Sequence, residues 1–220
     1  RSRVGYAPAG GRLARYLTFR GWDLELAFDL GLLTPRGAWF QDRVMVPEMD
    51  ERGRMIHLSG RDIRGREPKY LSMAGLPKPV YGLARLLVGR PVLVVEGVFD
   101  WLTLLQWEYQ AVCLLGTSLK RADARRLCQA RRVYLALDND ERGQEATQEL
   151  GGKLGERTEV RVIRLPQSVK DVSDLAQKPS GREIFARLVR RAEIFGEEME
   201  QEDQKRHGDS CDRCAPSVLG

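Results

Sequence analysis

The stretch VLVVEGVFD, residues 92–100, sets the pattern of the second half of the chain. A short apolar run ends in an acid-glycine pair, and helix-forming residues follow. The stretch VYLALDND, residues 133–140, repeats this pattern of an apolar run that ends in acids. Strands that alternate with helices of ten or more residues are typical of parallel βαβ units. The continuous apolar runs agree, because the strands of a parallel sheet are covered on both faces.

The alternation continues around these two stretches and predicts a Rossmann-like, doubly wound α/β sheet. The other predicted strands are AVCLL at 111–115 and EVRVIRL at 159–165. The predicted helices span residues 99–109, 120–130, 141–154 and 182–195.

The first part of the chain has a different pattern, which predicts a smaller α+β subdomain. Two short helices are expected at 12–20 and 24–31, the second ended by Gly31. DRVMVPEM at 42–49 and RMIHLSGR at 54–61 form a predicted β-hairpin, with its turn at 50–53. Residues 64–83 are expected to be a loose connection to the sheet.

These patterns divide the chain into three predicted parts. They are a basic N-terminal subdomain at 1–85, the α/β domain at 86–196, and a tail at 197–220. The tail contains seven acidic and three basic residues, so it should be a frayed helix or disordered.

Charge and composition favour a polyanion as partner. The net charge is +5, and because the tail carries −4, residues 1–196 carry +9. Lys and Arg contacts to phosphate dominate nucleic-acid affinity. We expect no membrane partner and a reducing, cytoplasmic location, since the sequence has neither a long apolar run nor a signal peptide. The chain does not begin with Met, which suggests a piece of a longer protein.

A set of acids follows the predicted strands: Glu96, Asp100, Asp138, Asp140, Asp171 and Asp174. Ligands of open parallel sheets bind past the carboxyl ends of the strands, so these side chains should share one edge. Clustered carboxylates repel one another unless a divalent cation neutralises them, and hard oxygen ligands suit Mg²⁺ or Mn²⁺. Two such ions can support an in-line phosphoryl displacement. The pattern therefore predicts phosphodiester chemistry on nucleic acid.

Each acid also has a structural alternative. Asp140 could be the N-cap of the next helix, and Asp171 and Asp174 could be turn residues. Taken as a set at matching strand ends, the acids favour the functional interpretation. An EF-hand loop beginning at Asp138 is not favoured, because Arg142 would occupy a ligand position and a strand precedes the loop.

Four motifs, in order, resemble the TOPRIM domain of bacterial-type DNA primases: EGVFDWLTL, LLGTSL, LALDNDERGQEA and KDVSDL. Upstream, FQDRVMVPEMDERGRMIHLSGR, PKYLS and VYGL are similar to the segment that precedes TOPRIM in these primases. The resemblance runs from about Gly5 to Leu188. It implies a Rossmann-like TOPRIM sheet preceded by the smaller α+β subdomain.

The resemblance also implies roles for the matched residues. Glu96 would lie near the initiating hydroxyl, acting through metal or as a general base. Asp138, Asp140 and Asp171 would hold Mg²⁺ or Mn²⁺, with Asp100 in support.

Upstream, the resemblance implies that Arg61 and Lys69 line a groove for template and nucleotide, although a solvated charged face is an alternative. That alternative is almost as favoured for Arg64 and Arg66. The implied activity is synthesis of short RNA primers on single-stranded DNA from ribonucleoside triphosphates. A replicative helicase is a possible partner, and the nucleoid is the expected location.

Two features depart from the family pattern. Ser173 stands where an acid is often found, although Asp174 could substitute for it. The zinc-binding domain that normally precedes this core is not part of the sequence, so a fragment or a shortened primase is expected. The tail carries His207, Cys211 and Cys214, but structural zinc takes four ligands and no fourth is adjacent. We therefore do not expect zinc in this chain, and a partial zinc knuckle at these three residues is the less favoured alternative.

Two other functions remain open from sequence. A TOPRIM nuclease or topoisomerase fragment would cut nucleic acid without nucleotide triphosphates. A non-catalytic module would bind single strands without a divalent ion.

Overall fold

The computed structural model describes residues 4–7, 11–19, 21, 23–29, 33–34, 37–116 and 118–196. The tail at 197–220 and the predicted helix end at Gly31 lie outside these residues. The chain divides into two compact units, Arg1–Arg85 and Leu86–Gly220. In the described part of the chain, no helix has both the length and the apolar character needed to cross a membrane.

The first unit contains a four-stranded antiparallel sheet in the order β1–β4–β5–β6. Its elements are β1 (Gly5–Ala7), α1 (Arg12–Phe19), α2 (Leu24–Asp29), β2 (Leu33–Thr34), β3 (Gly37–Ala38), β4 (Arg43–Met49), β5 (Met55–Asp62), β6 (Tyr70–Ser72) and a 3-10 helix (Leu83–Arg85). β2 and β3 form a separate two-stranded sheet.

The predicted hairpin is confirmed by β4 and β5, which pair antiparallel. Asp50 closes the turn, because its Oδ1 accepts the N–H groups of Arg52 and Arg54, both at 2.9 Å. Gly53 has φ +75°, a conformation that favours glycine. The prediction of a loose connection at 64–83 was wrong in part, since β6 pairs with β5 there. Its three residues are too few for a clear strand periodicity.

A buried polar layer lies on one face of this sheet. Glu48 and His57 are paired directly across β4 and β5, and both are almost fully buried. Glu48 Oε1 accepts the Gly82 N–H at 3.0 Å, and Arg85 lies 3.4 Å from Oε2. The Tyr81 hydroxyl forms hydrogen bonds with the Val46 carbonyl and the Ser59 hydroxyl of this sheet, and its ring contacts the His57 ring edge-on. Burial raises the pKa of Glu48 to about 7 and lowers that of His57, so the latter is a neutral core residue.

The second unit is an α/β fold around a five-stranded sheet in the order β11–β10–β9–β7–β8. Its elements are β7 (Val92–Val95), α3 (Val98–Gln106), β8 (Ala111–Cys113), α4 (Arg121–Leu127), β9 (Val133–Leu135), α5 (Glu141–Gly155), β10 (Val160–Val162), α6 (Val172–Ala176), α7 (Gly181–Arg190) and β11 (Glu193–Ile194). The four strands β7 to β10 are parallel, which confirms the predicted fold class.

The last predicted helix, at 182–195, was too long. The helix ends at Arg190, and residues 193–194 form β11, an antiparallel edge strand on β10. The Phe195 N–H donates to the Val160 carbonyl, and Arg161 donates to the Ala192 carbonyl. Helical periodicity could not register this pairing, because the open edge of β10 exists only in the folded sheet.

Aromatic side chains fix the helices that flank the sheet. Trp101 of α3 is fully buried and donates its indole N–H to the Ala111 carbonyl at 2.9 Å. Phe185 of α7 packs against Trp107 and Tyr109, with ring centroids 5.4 and 5.6 Å apart. In turn α6 contacts both α3 and α7, which brings the loop before α6 close to the start of α3.

Replacing Glu48 with Gln tests the cost of the buried charge. The folded pKa of about 7 lies above the ordinary value of 4.5, so stability present at low pH is lost as pH rises through this range. We expect Glu48→Gln to match the wild type near pH 4.5 and to exceed its unfolding free energy by roughly 2 to 4 kcal/mol at pH 8. Urea denaturation of both proteins across this pH range measures the difference, in which the other titrating groups cancel. Glu156→Gln, at an exposed position, is the control. A difference that does not grow with pH would contradict the prediction.

Candidate metal centre

Two neighbouring parallel strands bring the first two acids together. Glu96 directly follows β7, and Asp138 follows β9 by three residues. Because β7 and β9 pair in register, the loops after them meet at the same edge of the sheet. Glu96 Oε1 accepts the Asp138 N–H at 3.3 Å, so the first acid helps to hold the backbone of the second.

Asn139 fixes the position of a third loop, the one after β10. Its N–H donates to the Lys170 carbonyl at 2.7 Å, and its side-chain amide donates to the carbonyls of Pro166 and Val169. These bonds tie the loop after β10 to the loop after β9. Asp171 is thereby placed beside Asp138. In the sequence, Asn139 is marked only by its place between the two acids of DND.

Asp100, Asp138 and Asp171 form the cluster that could hold a metal ion. One carboxylate oxygen of each lies within 4.8 Å of the other two. Asp100 reaches the site from the first turn of α3, is almost fully buried, and accepts the Ser173 N–H at 2.7 Å. Gly97 makes room for it, because a Cβ there would collide with the Asp100 carboxylate. Ser173, where an acid was expected, thus contributes through its backbone.

The electrostatics of this cluster suit a divalent cation. Burial, together with the charge of the neighbouring Asp171, raises the pKa of Asp100 to about 7. Burial also raises the pKa values of Asp138 and Glu96, and the charge of Asp138 adds to the effect at Glu96. Close, buried carboxylates favour protonation unless a cation neutralises them. Oxygen donors of this kind match Mg²⁺, Mn²⁺ or Ca²⁺, so the residues fit one divalent ion.

Two of the predicted acids also act as helix N-caps: Asp140, for which this was the structural alternative, and Asp171, for which the alternative was a turn residue. Asp140 Oδ1 accepts the Gly143 N–H at 3.0 Å, and Asp171 Oδ1 accepts the Asp174 N–H at 2.7 Å. Asp171 lies in the three-acid cluster, whereas Asp140 and Glu96 lie beside it. Asp174 lies outside the cluster and accepts the Lys170 N–H. Capping and metal binding are therefore compatible at Asp171.

Lys170 is a residue of this site that the sequence analysis missed. Its Nζ lies 3.5 Å from Asp138 Oδ2 and 3.8 Å from Asp140 Oδ2. The ammonium group opposes the effect of burial on the pKa of Asp138. The positive charge of Lys170 therefore lies close to the carboxylates of Asp138 and Asp140. The only signal in the sequence was its position directly before Asp171.

A groove of about 610 Å³ opens beside the cluster, and Asp138 lines it. Its walls come from α5 on one side and from β10, β11 and the loop after β10 on the other. The polar side chains that line it include the amides Asn139, Gln144, Gln148 and Gln167 and the carboxylates Glu141, Glu145 and Glu193. Arg164 also lines it and is paired with Glu193 at 3.1 Å. The four amides offer both donors and acceptors of hydrogen bonds to a bound polar molecule.

The basic residues predicted to bind template and nucleotide belong to the first unit. The Arg61 guanidinium lies 4.7 Å from the centroid of the Tyr70 ring, and Lys69 precedes this ring at the start of β6. Arg64 and Arg66, whose alternative was a solvated face, make ion pairs with Asp42 at 3.2 and 3.6 Å. Arg66 also binds Asp62 at 2.7 Å, which holds the pKa of that carboxyl far below its usual value. His207, Cys211 and Cys214 lie outside the described residues.

Family comparisons match the two units separately. Residues 1–77 match the N-terminal domain of the DNA primase catalytic core, and residues 93–176 match a Toprim-like family. The DNA primase of Staphylococcus epidermidis is 30% identical over 197 residues, which cover 80% of this chain and 32% of the relative. The chain therefore spans about a third of the length of that curated primase.

Solved structures agree with the family match. The structure of the Aquifex aeolicus primase zinc-binding and RNA polymerase domains superposes with a TM-score of 0.73 at 27% identity, covering 94% of this chain and 55% of that one. A DnaG primase catalytic domain bound to single-stranded DNA gives a TM-score of 0.69 at 26% identity, covering 87% and 66%.

The parallel sheet and its acidic edge define a TOPRIM-type α/β domain. Together with the match of the first unit, this defines the family. The chain belongs to the bacterial-type DNA primase catalytic cores.

Gly143 tests how tightly the Asp138 loop is packed. A Cβ at this position would collide with the backbone carbonyl of Asp138, whereas a Cβ at Gly152 in the same helix would meet nothing within 4 Å. We expect Gly143→Ala to displace Asp138 and weaken Mn²⁺ binding about 10-fold or more, in the range found when support for metal ligands is removed. Isothermal titration with Mn²⁺ measures this effect. Gly152→Ala is the matched control and should bind Mn²⁺ like the wild type. Equal affinities of the two variants would show that the loop tolerates the added carbon.

Lys170 competes with a metal ion for the same carboxylates. Removing its charge in Lys170→Met should tighten Mn²⁺ binding several-fold, because Asp138 and Asp140 then lose their nearest cation. Lys178→Met, at an exposed position after α6, removes the same charge elsewhere and should leave the affinity unchanged. Mn²⁺ titration followed by electron paramagnetic resonance compares the three proteins. Weaker binding by Lys170→Met would mean that Lys170 supports the metal ion and does not compete with it.

Proposed function

We propose that this chain is the catalytic part of a DNA primase and forms phosphodiester bonds between ribonucleotides on a single-stranded DNA template. One observation carries the proposal: the Asp100, Asp138 and Asp171 carboxylates converge at the edge of a Toprim-like sheet. A second supports it, because the first unit matches the domain that precedes this sheet in primases. The two units would then be an N-terminal subdomain at 1–85 and a TOPRIM domain at 86–196.

The acids would have different roles in the proposed reaction. Asp100, Asp138 and Asp171 would hold a divalent ion, with Asp140 extending the ligand set. A bound Mg²⁺ or Mn²⁺ would lower the pKa of the attacking hydroxyl and neutralise phosphate charge. Glu96 is half-buried, and the raised pKa of its carboxyl suits a group that positions or accepts the proton of this hydroxyl. Its hydrogen bond to the Asp138 backbone keeps it in place.

The proposed substrates follow from the same geometry. The amides in the groove beside Asp138 would offer hydrogen bonds to the base and ribose of a ribonucleoside triphosphate. Arg61 and Lys69 of the first unit would contact template or nucleotide phosphates. One structural relative was solved with single-stranded DNA, and we propose the same ligand class here. A replicative helicase as partner and a location at the nucleoid are further parts of this proposal.

Extension of an annealed RNA primer tests nucleotidyl transfer without the separate requirements of initiation. The chain should incorporate ribonucleotides on a DNA template only when Mg²⁺ or Mn²⁺ is present. Asp138→Asn and Glu96→Gln should each reduce incorporation on the order of 100-fold, as expected when a metal ligand or a catalytic polar group is lost. Asp123→Asn, an acid of α4 away from the cluster, is the control and should remain active.

Two results would contradict the proposal. Incorporation by Asp138→Asn at the wild-type level would show that the reaction does not depend on these carboxylates. Divalent-ion-dependent cleavage of the template without nucleotide triphosphates, and with no incorporation when they are added, would favour a nuclease.

A further inference from the structure

Three of the four parallel strands of the second unit, β7, β9 and β10, are preceded by arginines and followed by acids. The fourth, β8, is preceded by Glu108, which is paired with Arg182 at 3.0 Å. Arg90, Arg131 and Arg157 lie two, two and three residues before β7, β9 and β10. Because these three strands are parallel neighbours, their starts lie at one edge of the sheet. This edge is opposite the one that carries the acidic cluster.

Backbone contacts hold the three starting segments side by side. The Arg131 N–H donates to the Arg90 carbonyl at 3.2 Å, and the Thr158 hydroxyl donates to the Ala130 carbonyl at 3.3 Å. Adjacent strands are about 4.8 Å apart, so the backbones of Arg90 and Arg157 are separated by roughly 10 Å.

A fourth arginine reaches the same edge from α4. The Gly89 N–H donates to the Gln129 carbonyl at 2.9 Å, which brings the end of α4 beside the start of β7. Arg125 lies in the last turn of this helix and is exposed. We call Arg90, Arg125, Arg131 and Arg157 the arginine edge.

The members of the arginine edge are exposed and, among the described residues, make no salt bridge or side-chain hydrogen bond. Other charged groups nearby are already satisfied: Glu159 is bound by Arg132 and Arg161, each at 2.7 Å. Glu156 is exposed and offsets one of the four positive charges. The edge therefore keeps a surplus of positive charge on a rigid frame.

The chemistry of this surface fits the phosphates of a nucleic-acid strand. Guanidinium groups bind phosphate through paired N–H donors, and arginine loses less freedom than lysine in doing so. A span of roughly 10 Å leaves room for more than one phosphate of a single strand. A single strand follows such a row without needing its bases to be read.

The distance between the two edges also suits a continuous strand. Arg90 and Glu96 lie six residues apart along β7, which is about 20 Å of extended chain. A strand handled at the acidic cluster can thus reach the arginine edge.

We propose that the arginine edge binds the phosphate backbone of single-stranded nucleic acid, independently of sequence, as a second contact apart from the metal centre. The inference rests on the proposed function only in that the chain handles nucleic acid. It adds a binding surface that contributes affinity and leaves the chemistry to the carboxylates.

Salt-dependent binding of the full chain to fluorescein-labelled oligothymidylate of 20 nucleotides tests this surface. Fluorescence anisotropy is measured between 50 and 300 mM NaCl, in EDTA and without nucleotide triphosphates. The variant R90Q/R131Q/R157Q should lower the slope of log K against log[NaCl] by about 2, since each single-strand phosphate contact contributes about 0.7. Its affinity at 100 mM NaCl should fall on the order of 100-fold.

The control R187Q/R190Q/R191Q removes the same charge from exposed positions at and after the end of α7. It should keep the slope of the wild type. Circular dichroism and thermal unfolding establish that both triple variants are folded.

Three results would overturn the inference. Equal losses in the two triple variants would assign the effect to net charge. Unchanged binding by R90Q/R131Q/R157Q would show that nucleic acid does not bind at this edge. Binding of polyglutamate that depends on these arginines, with oligothymidylate binding unchanged, would assign the edge to an acidic protein partner.

The inference and the proposed function fail separately. Binding is measured in EDTA, where divalent-ion-dependent synthesis cannot occur. Arginine-dependent binding by a chain that incorporates no ribonucleotides would contradict the proposed function alone.

Discussion

The second unit depends on holding three carboxylates close together against their mutual repulsion. Asp100, Asp138 and Asp171 lie within 4.8 Å of one another, and burial raises the pKa of the first to about 7. Such a cluster would separate if its loops were free, because close like charges in a poorly solvated site are unfavourable. The sheet, the caps and the loop-to-loop hydrogen bonds hold it together, and a divalent cation relieves the strain that remains.

One tripeptide, DND at 138–140, provides much of the structure that holds the cluster together. Asp138 supplies a carboxylate to the cluster, Asn139 ties down the loop after β10, and Asp140 caps α5. Gly143 completes the arrangement, because any larger residue would strike the Asp138 backbone. The proposed catalytic residues and the residues that pack this loop are therefore the same few residues, so substitutions there would affect stability and chemistry together.

Charge is distributed unevenly between the two ends of the parallel strands of the second unit. Acids gather where the strands end and arginines where they begin, so opposite edges of one sheet carry opposite charge. Lys170 is the exception, a cation held at 3.5 Å from Asp138 within the acidic edge. It reduces the repulsion that the acids exert on one another.

Sequence alone determined the alternation of strands and helices, the hairpin of the first unit and the acids at the strand ends, because each follows from local periodicity and residue type. Tertiary structure alone decided what depends on distant neighbours. β11 forms because β10 leaves an open edge, which no periodicity of 182–195 reveals. The sorting of acids into a buried cluster of three with two beside it depends on loop contacts between residues 30 or more apart, such as that between Asn139 and Val169. Lys170 joined the site for the same reason: proximity in space, which sequence spacing does not encode.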